Sequence, residues 1–454
     1  VIYRSELLAY SETFIVAQAS AMRAYAPLFA GIRRVPRSLA LPLPSWVVAE
    51  GDGVVDRARR YLFRRTGRSP ALLASLRAHA PSLLHAHFAI DAAEALPLAR
   101  RLAIPLVVTL HGYDVMASDQ THGASRRGRL YLARRSRLFR EASLFLCVSE
   151  AICRRAIERG FPAEKLRVHA IGIDVTQFHP PPRLEPAPAI LFVGRLVEKK
   201  GCAHLIRAMS EVRRVLPEAR LVVLGDGPER VRLEAEARRW GSQAIFLGVQ
   251  DGEQVRQWMA SSRVLAVPSI TARDGDAEGL PTVLCEALAM GLPVACFRTS
   301  GIPELVRDGV EGLLADEGDE AGLAANLLRI CQDDGLAMRL GQAGRRRVEQ
   351  AFELGAQTAA LEAIYAELIE LGALPVRGVD RAGGLKQADG RIGAVPGAMP
   401  DVVPALLAAA VSDSPPAVSG GSYGRSELSP AVVQRGAQTK PGVRPKWMPG
   451  WMAR

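Results

Sequence analysis

Short, nearly continuous apolar runs recur along the chain at 82–87, 106–110, 144–149, 190–193, 220–224, 244–247 and 264–267. Runs of this length without polar alternation suit strands buried on both faces, as in parallel sheets. Longer segments with helical spacing of apolar positions separate them, among them 203–215 and 229–240. Such alternation predicts α/β architecture with right-handed crossovers. The rhythm breaks at 172–188, where Pro180-Pro181-Pro182, Pro186 and Pro188 suit neither helix nor ladder. That stretch reads as a linker between domains at 1–179 and 180–355, with a further helix at 356–371. Residues 372–454 are rich in Gly, Pro, Ala and Ser and hold no period, the pattern of a disordered tail. Its end, Lys446-Trp447-Met448-Pro449-Gly450-Trp451, reads first as a loose terminus and second as a contact for a membrane surface.

Charge sharpens this division. The 454 residues carry a net +11, which raises the question of nucleic acid or membrane. Residues 1–179 hold 26 Lys and Arg against 14 Asp and Glu, whereas 180–374 hold 22 against 28. The basicity belongs to the first half, and the two halves have different partners. The basic half lacks interleaved aromatics and a reading motif, which excludes nucleic acid. Its densest run, Arg126-Arg127-Gly128-Arg129 with Arg134, Arg135, Arg137 and Arg140, reads as a patch for an anionic membrane surface or for acceptor phosphates. Six cysteines without a C-x-x-C pair fit a reduced, cytoplasmic compartment. No run of 18 apolar residues predicts a spanning helix, and the opening Val1-Ile2-Tyr3-Arg4 has no signal-peptide layout.

Candidate chemistry sits where strands end. Gly275-Asp276-Ala277-Glu278-Gly279-Leu280-Pro281-Thr282-Val283-Leu284-Cys285-Glu286 follows the run at 264–267. Pro281 suits the first turn of a helix, and two carboxylates, Glu278 and Glu286, bracket that helix start. A free helix N-terminus offers N–H groups and a positive dipole end to a phosphate, while the carboxylates suit hydroxyls on either side. Gly194-Arg195-Leu196-Val197-Glu198-Lys199-Lys200-Gly201 ends the first strand after the linker. Gly194 permits close backbone approach, and Arg195 and Lys200 suit a diphosphate. Taken alone, that segment reads as a solvated basic turn. His111-Gly112-Tyr113-Asp114 ends a first-half strand, and His111 there suits a sugar hydroxyl or a phosphate. Ser11-Glu12-Thr13-Phe14-Ile15 follows the opening strand and predicts a helix start capped by Ser or Thr. His85 and His87 share one strand face, but no third ligand completes a metal set. Gly225-Asp226-Gly227-Pro228 reads as a tight turn rather than a phosphate loop.

Together these residues resemble the retaining glycosyltransferases of family 4, exopolysaccharide or colanic-acid branch. The motifs are Ser11–Ile15, His85–Phe88, His111–Asp114, Ile171-Gly172-Ile173-Asp174, Gly194–Gly201, Gly225–Pro228, Gly275–Glu286 and Ser300-Gly301-Ile302-Pro303-Glu304. The seven residues between Glu278 and Glu286 match that family's E-x7-E spacing. Where many members carry a Gly-Gly loop after the first strand, this chain has Ser11-Glu12-Thr13, as the exopolysaccharide branch does.

The resemblance implies a GT-B fold, two Rossmann-like domains facing across a cleft. It implies transfer of a hexosyl group from a GDP- or UDP-linked sugar to a lipid-linked saccharide, at the inner face of the membrane. Carried over, Arg195 and Lys200 bind the diphosphate, Glu286 the ribose and Glu278 the sugar hydroxyls. Gly194 and the backbone of Gly279, Leu280, Pro281 and Thr282 support the donor. His111 lies near the transferring centre. Ser11, Glu12, Thr13, His87 and Asp114 face the acceptor. Neither metal nor cofactor is implied. A nucleotide-sugar epimerase on the same fold and a non-catalytic assembly scaffold are the alternatives.

Overall fold

The computed structural model describes residues 1–9, 12–35, 39, 41–180 and 189–373. Its first sheet runs in the order Ser45–Val47, Phe29–Gly31, Ile2–Tyr3, Leu84–His87, Leu106–Leu110, Leu144–Cys147, Leu166–Val168. The second runs Ala244–Gly248, Arg220–Leu224, Ala189–Val193, Val264–Val267, Val294–Arg298, Leu313–Asp316. All neighbours in both sheets are parallel. In each, chain order reverses at the first strand of that half, which pairs with the second strand on one side and the fourth on the other. This is the doubly wound arrangement, and it opens a crevice at the carboxyl ends beside that first strand.

The seven apolar runs all fold as strands, with ends within two residues of those expected. The helical periods become Cys202–Val215 and Arg230–Trp240. Strands of two or three residues, Phe29–Gly31, Ser45–Val47 and Leu166–Val168, give no such signal, because a period cannot be read over so few positions. The expected tight turn after Leu224 is present: Gly225 has φ +132° and packs against the backbone of Gly194.

The part of the linker that is described is packed. Ile173 donates its N–H to Phe352 O and accepts from Leu354 N, and Arg345 donates to Val175 O, Phe178 O and Ala289 O. Residues 181–188 and the tail from 374 lie outside the described residues, so the expectations for them do too. The last helix, Leu354–Ala373, returns to the first domain. Leu361, Ile364 and Tyr365 pack on Val107, Leu144 and Leu146 of the first sheet, and Glu362 accepts from the amides of Arg23, Ala24 and Tyr25. All six cysteines are free thiols. Among the described residues no helix is long and apolar enough to cross a membrane.

The basic run at 126–140 forms one helix, Arg126–Glu141, and differs from the open patch expected. Arg127, Arg135 and Arg137 form ion pairs with Asp91 and Glu94, Asp119 and Glu141, while Arg129 and Arg134 donate to backbone carbonyls. A helix packed on its own domain orients most of its long side chains toward acidic and carbonyl groups there.

A Cβ on Gly225 would stand 1.9 Å from Gly194 O, in a backbone region that L side chains rarely adopt. Gly225→Ala is expected to lower stability by about 2 kcal/mol or more. Gly160→Ala, at φ +81° but with open space around it, should cost only about 1 kcal/mol. Urea denaturation followed by circular dichroism separates the two; equal losses would contradict the close-approach argument.

Candidate active site

The second domain's switch point brings two loops together. The strand Ala189–Val193 runs into Gly194-Arg195-Leu196, then a short 3-10 turn at Glu198–Lys200. Its neighbour Val264–Val267 runs into the loop that carries Glu278. Leu196 is buried and Ile270 N donates to Lys199 O, so the two loops are sewn to each other. Lys200 Nζ is thereby placed 2.9 Å from Glu278 Oε2.

Glu278 is buried, with Lys199 Nζ 3.7 Å from its other oxygen. Burial pushes its carboxyl up, but Lys200, then Lys199 and Arg195, outweigh that and hold it below the usual range. It is therefore an anion. Oε1 accepts no hydrogen bond among the described residues, which leaves an open acceptor at a buried charge. Lys199 also pairs with Asp276 at 3.0 Å. Arg195 is exposed, forms no ion pair among the described residues, and leans on Glu278 only through its field.

The helix that follows is Thr282–Ala289, with Pro281 as its N-cap, one position ahead of the expected first turn. Glu286, in its second turn, lies within reach of the charges of Arg256 and Lys200. Burial pushes the Glu286 carboxyl up to about 7, against the smaller pull of Arg256 and Lys200. Glu286 accepts no side-chain hydrogen bond among the described residues. Gly279, Leu280 and Pro281 form the bend between the two carboxylates, and Leu280 itself is buried in the core.

This bend touches the first domain. A Cβ on Gly279 would stand 2.3 Å from His111 O, and Ser149 Oγ donates to Gly279 O at 3.3 Å. Glu304 accepts from the amides of Glu150 and Ala151, capping a first-domain helix from the second domain. The strand-end residues of both sheets thus meet.

His111 lies between Phe14 and Phe88, with its Nε2 3.0 Å from His87 Nδ1. Burial, then the charge of Arg4, pushes its imidazole down to about 3, so it is neutral. His85 and His87 stack at 4.5 Å on one strand face, as their spacing predicts. His85 Nε2 is 2.7 Å from Thr109 Oγ1 and its Nδ1 bonds the Tyr365 hydroxyl of the returning helix. Among the described residues no group of three or more His, Cys, Asp or Glu side chains is arranged to hold a metal ion.

The residues expected on the acceptor side divide. Ser11 lies outside the described residues. Thr13 begins the helix Thr13–Ala21 and is exposed. Glu12 is the N-cap, with no side-chain cap bond, and its carboxylate is taken by Arg4, so the expected Ser or Thr cap is replaced. Asp114 is buried and accepts from Ala89 N at 2.6 Å and His111 N at 2.9 Å. Burial pushes its carboxyl up to about 7 in spite of those bonds. Asp114 is a brace for the His111 loop, and His87 a support behind His111.

A buried charge network at the first switch point has no counterpart in the motif reading. Arg4, just past the strand Ile2–Tyr3, pairs with Glu12 and Asp91 and stacks over Phe88 at 4.4 Å. Asp91 and Glu94, in the helix Ala89–Leu102, also bind Arg127 and the Ser5 backbone and hydroxyl. Two acids three apart inside the Ala-rich 89–102 segment were the available signal, since charges on an otherwise buried helix need partners.

Comparison with known proteins agrees with this geometry. Residues 32–177 match the family model described as Glycosyltransferase Family 4, and residues 175–347 match that of Glycosyl transferases group 1. The amylovoran biosynthesis glycosyltransferase AmsK of Erwinia amylovora is 33% identical over 250 residues, 54% of this chain and 60% of the relative. The chain thus spans less than two thirds of that relative. The GDP-mannose-dependent alpha-(1-6)-phosphatidylinositol monomannoside mannosyltransferase of Mycolicibacterium smegmatis is 31% identical over 265 residues, 55% of this chain and 67% of its own. Among solved structures, Anabaena HepE in complex with UDP-glucose superposes with a TM-score of 0.63 at 19% identity, over 81% of this chain and 99% of its own. The two family models together span both domains and the solved structures share the fold, so the chain belongs to the GT-B glycosyltransferases that join a family 4 domain to a group 1 domain.

Proposed function

We propose that the chain is a retaining glycosyltransferase that moves a hexosyl group from a nucleoside-diphosphate sugar to a lipid-linked saccharide, in exopolysaccharide synthesis. The observation that carries this is the Lys200–Glu278 pair, with Glu278 Oε1 open and Arg195 unpaired on the same loop. A diphosphate is the ligand that draws Lys200 and Arg195 onto itself, and sugar hydroxyls are the donors that then satisfy the released carboxylate. HepE was solved with UDP-glucose, the mycobacterial relative is named for GDP-mannose and AmsK for amylovoran; each name supports one part of the reading.

The chemistry follows from charge. The bond between the sugar's C1 and the diphosphate oxygen breaks, leaving negative charge on the phosphate. Lys200, Arg195 and the leading amides of Thr282–Ala289 stabilise it, so the proposed reaction uses no metal. The acceptor hydroxyl attacks C1 on the same face, and its proton passes to the leaving phosphate oxygen, which retains the configuration. Neutral His111 serves as a hydrogen-bonding partner near the sugar rather than as a cation. Contact between the domains excludes water, which otherwise competes with the acceptor. The proposed setting is the cytoplasmic face of the membrane, where the acceptor's lipid is anchored.

Lys200→Ala is expected to lower kcat by about 10²–10³-fold, and Glu278→Gln by a similar factor, in assays of sugar transfer from UDP- and GDP-linked hexoses. Failure of the intact protein to bind either class of donor would remove the proposal. Glu286 supplies a pH test. Its folded pKa is raised to about 7, so it gains charge as pH rises through that value. The carboxylate accepts a ribose hydroxyl more strongly than the acid does, so donor affinity should rise several-fold from about pH 6 to about pH 8. Glu286→Gln should flatten that profile in calorimetric titrations; an unchanged slope would contradict the ribose role.

A further inference from the structure

The first domain has an exposed amphipathic face that the transfer chemistry leaves unused. The helix Val54–Thr66 buries Arg60 and Phe63 but turns Val54, Val55, Tyr61 and Leu62 to solvent, at 74, 63, 62 and 51% exposure. Positions 54, 58, 61, 62 and 65 fall on one side of a helix. Arg57 and Arg59 flank this stripe, and both are exposed. At its end the stripe meets Arg65, which lines a groove of about 410 Å³ together with Arg100, Arg101, Arg134 and Arg137. Against these five arginines stand Glu141, paired with Arg137 at 2.8 Å and Arg100 at 3.5 Å, and the buried Glu94, whose charge acts on Arg134. Arg101 and Arg134 are held in place by carbonyls, Thr66 O for the first and Ala93 O and Arg65 O for the second. A surplus of cations therefore adjoins a row of exposed apolar side chains.

We infer that this face docks on an anionic lipid bilayer, with the Val54–Leu62 stripe at the headgroup–acyl boundary and lipid phosphates in the arginine groove. The pairing of an apolar stripe with flanking arginines is the pattern of an interfacial helix, and the groove supplies the complementary charge. The inference rests on the membrane setting of the proposed function and narrows the contact on the helix Arg126–Glu141 to its Arg134 and Arg137 edge, where it joins Arg65, Arg100 and Arg101. The helix Val54–Thr66 follows the edge strand Ser45–Val47, so it starts at the end of the sheet where the cleft lies. Docked along it, the cleft's mouth is held beside the surface that presents a lipid-linked acceptor.

The test is flotation of the full chain with vesicles of phosphatidylcholine alone, or containing about a third phosphatidylglycerol. Binding to the anionic vesicles and not to the neutral ones is expected. Each arginine near the surface is worth about fivefold in partitioning, so Arg100→Gln/Arg101→Gln/Arg137→Gln should reduce binding at least about tenfold. Val54→Ser/Val55→Ser/Leu62→Ser should do the same, with transfer to a soluble acceptor unchanged in both. Arg126→Gln/Arg140→Gln should bind as the parent does. If the parent binds anionic vesicles and both test variants bind equally well, this face is overturned while the membrane setting stands. If the parent binds neither vesicle, both fall, and donor turnover still decides the transferase reading.

Discussion

A buried carboxylate must have a cation, and the pair of Glu278 with Lys200 is the constraint around which this molecule is organised. The two residues come from loops after adjacent parallel strands, Val264–Val267 and Ala189–Val193, so their meeting depends on the sheet reversing its order there. The pair does not satisfy Glu278 fully, since one oxygen accepts nothing. An unsatisfied oxygen on a buried anion is a cost to the resting protein, and a ligand with hydroxyls relieves it.

The first domain is held against this site by backbone contacts more than by opposed side chains. Gly279 against His111, Ser149 on Gly279 and Glu304 capping the helix Glu150–Glu158 fix the bend where sugar and acceptor would meet. The bonds of Ile173 to Phe352 and Leu354, and the packing of the returning helix on the first sheet, tie the two domains together elsewhere. The charge asymmetry of the two halves then has a structural meaning. The acidic second half keeps its useful cations at Arg195, Lys199 and Lys200, while the basic first half spends many arginines on Asp91, Glu94, Asp119 and Glu141.

Seven sheet strands were legible because each lies in a short, mostly apolar run, whereas Val294–Arg298 and Leu313–Asp316, which complete the second sheet, were not singled out. The E-x7-E segment was legible as a strand-to-helix turn with two carboxylates, although Pro281 proved to be the cap rather than the first helical residue. The acceptor side was less so. Glu12, His87 and Asp114 stand at strand ends as expected, yet their side chains are bonded within the first domain. Sequence places a residue at a crevice but does not say which way a buried side chain turns. Asp91, Glu94 and Arg4 escaped for the complementary reason: no local pattern marks residues whose partners lie about 90 positions away.

The central claim is that the Lys200–Glu278 pair is the resting form of a donor site. A crystal structure of the full chain with a UDP- or GDP-linked hexose tests it most directly. The account predicts that Lys200 Nζ leaves Glu278 for the diphosphate, that Arg195 joins it, and that Glu278 accepts from the sugar's hydroxyls. A donor bound elsewhere, with Lys200 still on Glu278, would contradict it.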